Sequence, residues 1–370
     1  MSTVVHLTSV HNRYDTRIFL KMCRSLVTAG YGVVLVVADG RGGEEKEGVR
    51  IVDVGKSKGR LDRMLGATRR VLTQALKLDA DIYHLHDPEL LPAGLALKRR
   101  GKRVVFDAHE DLPQQILSKT YLHRATRRIL SWSAGAFERF ACRRLDGVVA
   151  ATPTIRDKFK RTGISCIDIN NFPMLGELDS NIPWQQKAME VCYIGSIFAS
   201  RGIREIVSAM ALAKTNVRLV LGGSFSEQHI RAEVEKMPGW EAVDQLGFLS
   251  RSQVRDVLQR SIGGLVTLHP TPAYVDALPV KMFEYMSAGL PVIASDFPLW
   301  REIIVGSGCG ICVDPLDPSA IAVAIDRLVE NPDFAREMGA NGRRAAHERY
   351  NWDIEEKKLL LLYSKLLTGA

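Results

Sequence analysis

Short β-branched apolar runs recur along this 370-residue chain, and a stretch of helical periodicity separates nearly every pair. In the first half the runs lie at 4–8, 31–38, 82–86, 103–107 and 147–151, with amphipathic helices expected at 17–29, 61–78 and 90–100. The second half repeats the pattern, with strands expected at 191–195, 217–222, 263–268 and 291–295. Strands that are each followed by a helix pair in parallel, because the helix supplies the crossover and covers a sheet face. The fold class is therefore α/β, with doubly wound, Rossmann-like sheets. The alternation breaks once, at 170–187, a polar stretch containing Pro173 and Pro183 that has neither period. The expected layout is a domain at 1–170, a linker at 171–187, a domain at 188–350 and a last helix within 351–370. A chain of this length is comfortable as two domains.

Composition narrows the class. Hydrophobic residues make up 46% and charged residues 25%, the balance of a soluble globular protein. No apolar run approaches the ~20 residues needed to span a bilayer, and no signal-peptide pattern precedes the first strand, so the expected compartment is the cytoplasm. Six cysteines are scattered through apolar segments, as reduced core residues would be. Cys309-Gly-Ile-Cys312 has redox or zinc spacing but no companion pair, and reads as core. A net charge of +8 calls for an acidic partner: nucleic acid, anionic lipid or a phosphorylated substrate. No zinc-finger spacing, RNA-binding signature or helix-turn-helix pattern supports nucleic acid.

The richest segment is Asp276-Ala-Leu-Pro279-Val-Lys281-Met-Phe-Glu284-Tyr-Met-Ser-Ala-Gly289-Leu-Pro291. Pro279 suits a first helical position, which places Lys281 in the first turn among free backbone N–H groups at the positive end of the helix dipole. Glu284 falls one turn on, Asp276 stays in the loop before, and Gly289 with Pro291 ends the helix. A cation at a helix start flanked by carboxylates suits a nucleotide sugar, with the lysine on the diphosphate and the acids on hydroxyls. An amphipathic helix with a surface Lys–Glu pair has the same pattern.

The segment resembles the acidic donor-site motif of the retaining glycosyltransferases of family 4, which have the GT-B fold. In that family two glutamates stand eight positions apart ahead of a small-Gly-x-Pro-Val turn. Here Glu284 occupies the second position and Asp276, one methylene shorter, the first. The wording Pro-x-Lys-x-Phe-Glu-Tyr-Met resembles a branch that builds bacterial surface polysaccharides. The resemblance implies two Rossmann-like domains facing a central cleft, the first serving the acceptor and the second the nucleotide sugar, with the last helix crossing back to the first domain.

Further pieces fit it. Gly195-Ser196 through Arg201-Gly202 follows a strand and opens a helix; relatives carry Lys-Gly there, and an arginine can clasp a diphosphate with two bonds. Gly222-Gly223 and Leu246-Gly247-Phe248-Leu249 resemble the loops that cradle the base. The first strand-to-helix turn lacks Gly-x-Gly-x-x-Gly, which argues against a dinucleotide oxidoreductase. Phe106-Asp107-Ala-His109-Glu110-Asp111 resembles the branch's Asp-x-His-Glu signature, whose histidine approaches the transferred sugar. His84-Leu-His86-Asp87-Pro88 and Asp15-Thr16-Arg17 match the branch too, although His86, a single histidine near a strand end, reads first as a structural residue. No ligand set among 84–111 has metal spacing, and Asp79-Ala80-Asp81 precedes a strand rather than following one, so metal independence and no cofactor are expected.

These readings describe a retaining transfer of a sugar from a nucleotide donor to a hydroxyl acceptor, lipid-linked or a polysaccharide intermediate. His109, Asp276 and Glu284 would carry the chemistry. Gly195, Ser196, Arg201, Gly222, Gly223, Phe248, Leu249, Lys281 and Glu284 would bind the donor. A nucleotide-sugar epimerase of the same fold, or a non-catalytic subunit of a glycosylation complex, are the alternatives. The segment 119–144 adds Lys119, Arg124, Arg127, Arg128, Arg139, Arg143 and Arg144 against Glu138 alone, interleaved with Leu122, Ile129, Leu130, Trp132, Phe137 and Phe140. That composition suits an interfacial helix on the inner face of a membrane, or a packed helix with a solvated basic face.

Overall fold

The computed structural model describes residues 2–59, 61–118, 123–179 and 182–369. The chain divides into two compact units, Met1–Asn171 together with Ile354–Ala370, and Phe172–Asp353. No helix among the described residues is long and apolar enough to cross a membrane.

The first unit holds eight strands: β1 Thr3–Leu7, β2 Gly32–Val37, β3 Glu44–Lys46, β4 Val49–Asp53, β5 Ile82–Leu85, β6 Arg103–Ala108, β7 Gly147–Ala150 and β8 Cys166–Asp168. They lie in the order β3-β4-β2-β1-β5-β6-β7-β8. All pairs are parallel except β3 with β4. β5 and β7 are buried at every residue, as strands covered on both faces must be. The polar hairpin β3–β4 is absent from the sequence reading because Glu44-Glu45-Lys46 carries no apolar signal; such charges suit a sheet edge. The order reverses between β1 and β5, and this is the point where a doubly wound sheet opens a crevice beyond its strand ends.

The last helix, Trp352–Thr368, belongs to this unit from Ile354 onward. Leu359 and Tyr363 are fully buried, and the Glu355 carboxylate accepts from Asn170 N–H at 2.9 Å and from its amide at 3.2 Å.

The second unit is a wholly parallel sheet of six strands: β9 Glu190–Ile194, β10 Arg218–Gly222, β11 Val243–Gly247, β12 Gly263–Val266, β13 Val292–Ser295 and β14 Gly310–Val313. The order β11-β10-β9-β12-β13-β14 reverses between β9 and β12. Apolar residues fill both faces, with Met282, Phe283 and Met286 on one side and Ile203, Ile206 and Ile325 on the other. The sequence reading gives 171–187 to a linker, and the structure apportions it differently. Phe172 and Leu178 sit in the second unit's core, with Phe172 edge-on to Phe283 at 4.6 Å between ring centroids. These two side chains, with buried Pro173 between them, dock the segment onto the second unit. Ser180 and Asn181 lie outside the described residues.

Because Leu359 has no exposed surface, Leu359→Ala should cost about 2–5 kcal/mol. A lowered urea midpoint checks this; an unchanged one would show that the last helix adds nothing to the first unit.

Candidate functional site

Each sheet carries its own candidate site at its point of reversal. In the second unit the loops after β9, β10 and β11 press so closely that side chains are excluded. Gly195 N–H donates to Gly222 O at 2.8 Å, and Gly223 N–H to Gly247 O at 2.7 Å. A Cβ on Gly223, whose φ is +142°, would lie 1.9 Å from Gly195 O. The result is a surface of bare backbone, which a phosphate can approach.

Lys281 faces this surface. It lies on the helix Val280–Ser287, at its second position; Pro279 is the N-cap rather than the first helical residue, a shift of one from the sequence reading. The side chain is 8% exposed and its Nζ stands 3.5 Å above the centre of the Tyr193 ring. Nζ has no hydrogen-bond partner among the described residues. A Cβ placed on Gly195 would touch Lys281 Nζ at 3.3 Å and Arg201 Nη1 at 3.7 Å, so the two cations converge on that glycine. Arg201 stacks on Phe198, donates to Ser196 O at 3.4 Å, and leaves its Nε buried without a partner among the described residues. Burial, reinforced by Arg201, pushes the Lys281 ammonium well below the usual lysine range despite the pull of Glu284. Two uncompensated donors against bare backbone can hold a diphosphate.

The remaining donor-site residues are placed unevenly. Glu284 accepts from Arg251 Nη1 at 2.6 Å, and Arg251 also pairs with Glu177 at 2.5 Å. Asp276 is exposed in the turn before the helix. The next residue is pinned, since Ala277 O accepts from the Trp300 indole at 2.7 Å. Phe248 is 84% exposed, whereas Leu249 packs onto Gly222. The signal for Tyr193 was absent from the sequence, because an aromatic in an apolar strand reads as core.

In the first unit the site grows from the ends of β1, β5 and β6. Asp15 caps the helix that starts at Thr16, accepting from Arg17 and Ile18 N–H at 2.9 Å each. That cap turns Arg17 inward, where Nε and Nη2 clasp both oxygens of Asp107 at 2.9 and 2.8 Å, and Nη1 donates to Ile169 O. Burial opposes the Asp107 charge, but Arg17, His109 and His86 outweigh it and hold the carboxyl well below its usual range. Asp107 Oδ2 lies 3.1 Å from His109 Nε2 and 3.3 Å from His86 Nδ1. His11 stacks near His109, with ring centroids 4.7 Å apart, and lies 3.4 Å from both Asp15 and Asp87. Those acids outweigh burial and raise the His11 imidazole above its ordinary value. Asp87 also accepts from Thr8 Oγ1 and Ser9 N–H at the end of β1. Glu110 and Asp111 turn to local work, binding Gln115 and capping the helix Leu112–Leu117.

Two groups here have metal-like proximity: His6, His84 and His86, and His86, Asp107 and His109. The sequence reading found no ligand set; it could not see His6, which lies beside His84 only through strand register. In the second group the three ligand atoms stand 3.1 to 3.3 Å apart, close to the edge of a metal tetrahedron. The same oxygen of Asp107 is already engaged by Arg17 at 2.9 Å, however, and that guanidinium repels a cation. Hydrogen bonds from the two imidazoles to Asp107 account for the 3.1 and 3.3 Å distances, and the shared acceptor brings the two nitrogens together. Cys309 and Cys312 are free thiols, raised to about 12 and about 11 by burial, which disfavours the thiolate a metal needs.

Comparison with known proteins bears on both units. Residues 177–345 match the family model described as glycosyl transferases group 1, and residues 16–169 match the one described as glycosyltransferase family 4. An uncharacterized glycosyltransferase of Methanocaldococcus jannaschii is 26% identical over 202 residues, half of each chain. The chain spans about half the length of the curated relatives it matches. Among solved structures, sucrose-phosphate synthase from Thermosynechococcus elongatus superposes with a TM-score of 0.80 at 18% identity, covering 100% of both chains. HepE of Anabaena, in complex with UDP and glucose, gives 0.76 at 14%, covering 99% of this chain and 100% of that one. Likeness at this identity establishes the fold.

Lys281 bears directly on stability. Its folded-state pKa is depressed, so between that value and the ordinary lysine value the unfolded chain binds the extra proton and stability rises with pH. Lys281→Met should therefore leave the melting temperature unchanged or raise it, while flattening that rise. The same variant should lose roughly 1.5–3 kcal/mol of nucleotide affinity through the missing charged hydrogen bond. Thermal melts across pH with calorimetry check both; undiminished affinity would remove Lys281 from the site.

Proposed function

Because the chain belongs to the GT-B glycosyltransferases of family 4 type, we propose that it moves a sugar, with retention of anomeric configuration, from a nucleotide donor to a hydroxyl acceptor. The observation that carries this reading is the convergence of Lys281 and Arg201 on Gly195, both with buried polar atoms lacking partners among the described residues. A departing nucleoside diphosphate brings the negative charge this pair lacks. Donors fixed in advance where charge develops stabilise an oxocarbenium-like transition state without reorganisation. They supply what a divalent ion would otherwise bring, so the reading is metal-independent. Glu284 holds the ribose, Asp276 the donor sugar, Phe248 and Leu249 border the base, and Gly195, Ser196, Gly222 and Gly223 let the backbone approach. His109 stabilises charge on the transferred sugar or orients it. HepE, a structural neighbour, was solved with UDP and glucose, which supports a nucleotide sugar as ligand here.

The acceptor is lipid-linked in this reading, an intermediate of bacterial surface-glycan synthesis met at the inner membrane face. The helix Arg124–Cys142 supports it: Ile129, Leu130, Trp132, Phe137 and Phe140 are exposed together. Its one acid, Glu138, is buried and bonded to Lys158 at 2.7 Å, so no carboxylate of that helix opposes an anionic surface. Lys119 and Leu122, which the sequence reading adds to the patch, lie outside the described residues.

Incubation with UDP-, GDP- and ADP-sugars tests the activity. Acceptor-dependent nucleotide release and a product with the donor's anomeric configuration by NMR are expected. Conversion of the donor without acceptor would replace the reading with an epimerase. His109→Ala should lower kcat by about 100-fold or more while nucleotide affinity holds; near-normal turnover would return it to a structural role.

Sedimentation with vesicles tests the membrane surface. At about 1 kcal/mol per basic residue, binding to anionic vesicles should be strong at low salt and fall steeply as salt rises. Equal recovery in the supernatant with neutral and anionic vesicles would leave a soluble acceptor.

A further inference from the structure

Behind His109 lies a file of buried groups that transfer chemistry does not require. Tyr363, on the last helix, stands 2.6 Å from His84 Nδ1 and 3.4 Å from His6 Nε2. His6 Nδ1 is 2.8 Å from His86 Nε2, and His86 Nδ1 is 3.3 Å from Asp107 Oδ2. His6, His84 and Tyr363 have no exposed surface, and His86 is 1% exposed. Burial pushes His84 down to about 4 and His6 and His86 well below the ordinary histidine value. At neutral pH each imidazole thus carries a single proton, on one nitrogen or the other.

Two proton patterns satisfy the file, and they differ at its ends. In one, His84 Nδ1–H donates to the tyrosine oxygen, Tyr363 O–H to His6 Nε2, His6 Nδ1–H to His86 Nε2, and His86 Nδ1–H to Asp107. His109 then gives its Nε2–H to the same carboxylate and keeps Nδ1 open. In the reverse pattern His86 Nδ1 is a bare lone pair, 3.3 Å from the carboxylate oxygen and 3.2 Å from His109 Nε2. His84 must then carry its proton on Nε2, which is buried without a partner among the described residues. A buried unmet donor beside a lone-pair contact is the costlier arrangement, so the first pattern wins.

We propose that Tyr363, His6 and His86 are positioning residues that act as a directional hydrogen-bond relay, fixing His86 with its Nδ1–H on Asp107, the carboxylate that also receives His109 Nε2–H and so leaves His109 Nδ1 open. The consequence of that presentation for turnover rests on the role assigned to His109 above; the relay itself does not. It joins the last helix, residues distant in sequence, to the one imidazole of the file that is partly exposed. A group that bonds the far nitrogen of a histidine holds the ring to one tautomer and orientation.

The test reads tautomers directly. In protein labelled with 15N-histidine, two-bond proton–nitrogen correlations should show His6, His84 and His86 protonated on Nδ1 and His109 on Nε2. Tyr363→Phe, which keeps the buried ring, should leave His6 a mixture of tautomers. His6→Asn, whose amide replaces the Nδ1–H donor, should preserve the His86 tautomer, and His6→Leu should release it. Nε2–H on His6 and His86 in the native protein, or His6→Asn indistinguishable from His6→Leu, would overturn the relay. Turnover is the second readout: Tyr363→Phe should lower kcat about tenfold with nucleotide affinity unchanged. Tautomers that move while kcat does not would leave the relay standing and remove His109 from the chemistry.

Discussion

The buried pair of Arg17 and Asp107 is the interaction on which the first unit's site depends. Their side chains are 4% and 0% exposed, so both ions have given up their water. Such a desolvation costs several kcal/mol per ion and is offset only by close geometry and full satisfaction. Here the guanidinium makes two bonds to the carboxylate and a third to Ile169 O, while the carboxylate also receives two imidazoles. The arrangement starts one turn earlier, where Asp15 caps the helix that aims Arg17 inward. A short Asp-Thr-Arg run therefore sets both the backbone and the charge of the site. Without the pair, His86 and His109 would have no fixed anion to donate to.

The two reversal points follow opposite electrostatic rules. In the first unit Arg17 and Asp107 meet as buried counter-charges, and burial pushes His6, His84 and His86 below the ordinary histidine value. In the second, Lys281 and Arg201 stand together, and Lys281 Nζ and Arg201 Nε are buried without hydrogen-bond partners among the described residues. Burying an unpaired ammonium is expensive, which is why the Lys281 pKa falls. A chain keeps such a cost where a ligand repays it, and the cation–π contact with Tyr193 holds the ammonium in place meanwhile.

Much of this was legible in the chain. Alternating periodicity is enough for the α/β class, because a buried parallel strand leaves an unmistakable apolar run. Lys281 was visible because a helix start, a lysine and a Gly-Pro stop are all local signals. His6 and Tyr363 were not, since a histidine within Val-Val-His-Leu and a tyrosine within a leucine-rich helix read as core, and their meeting with His84 and His86 depends on register and on the docking of the last helix. The edge strand Glu44–Lys46 escaped because it holds no apolar residue. The packed segment at 172–179 escaped because its buried residues, Phe172, Pro173 and Leu178, fall into neither a helical nor a strand period.

Glu284 shows how the motif and the structure fit together. A bare carboxylate one turn from Lys281 would repel the diphosphate that the lysine is placed to hold. Arg251 Nη1, 2.6 Å from Glu284 and itself shared with Glu177, neutralises that carboxylate and fixes its orientation. Arg251 is held charged by these acids, which outweigh its burial. What remains is a cluster of two carboxylates and one guanidinium that still carries net negative charge, with lone pairs on Glu284 left to accept hydrogen bonds. Arg251, thirty-three positions upstream, lowers the cost of that acid beside a buried lysine.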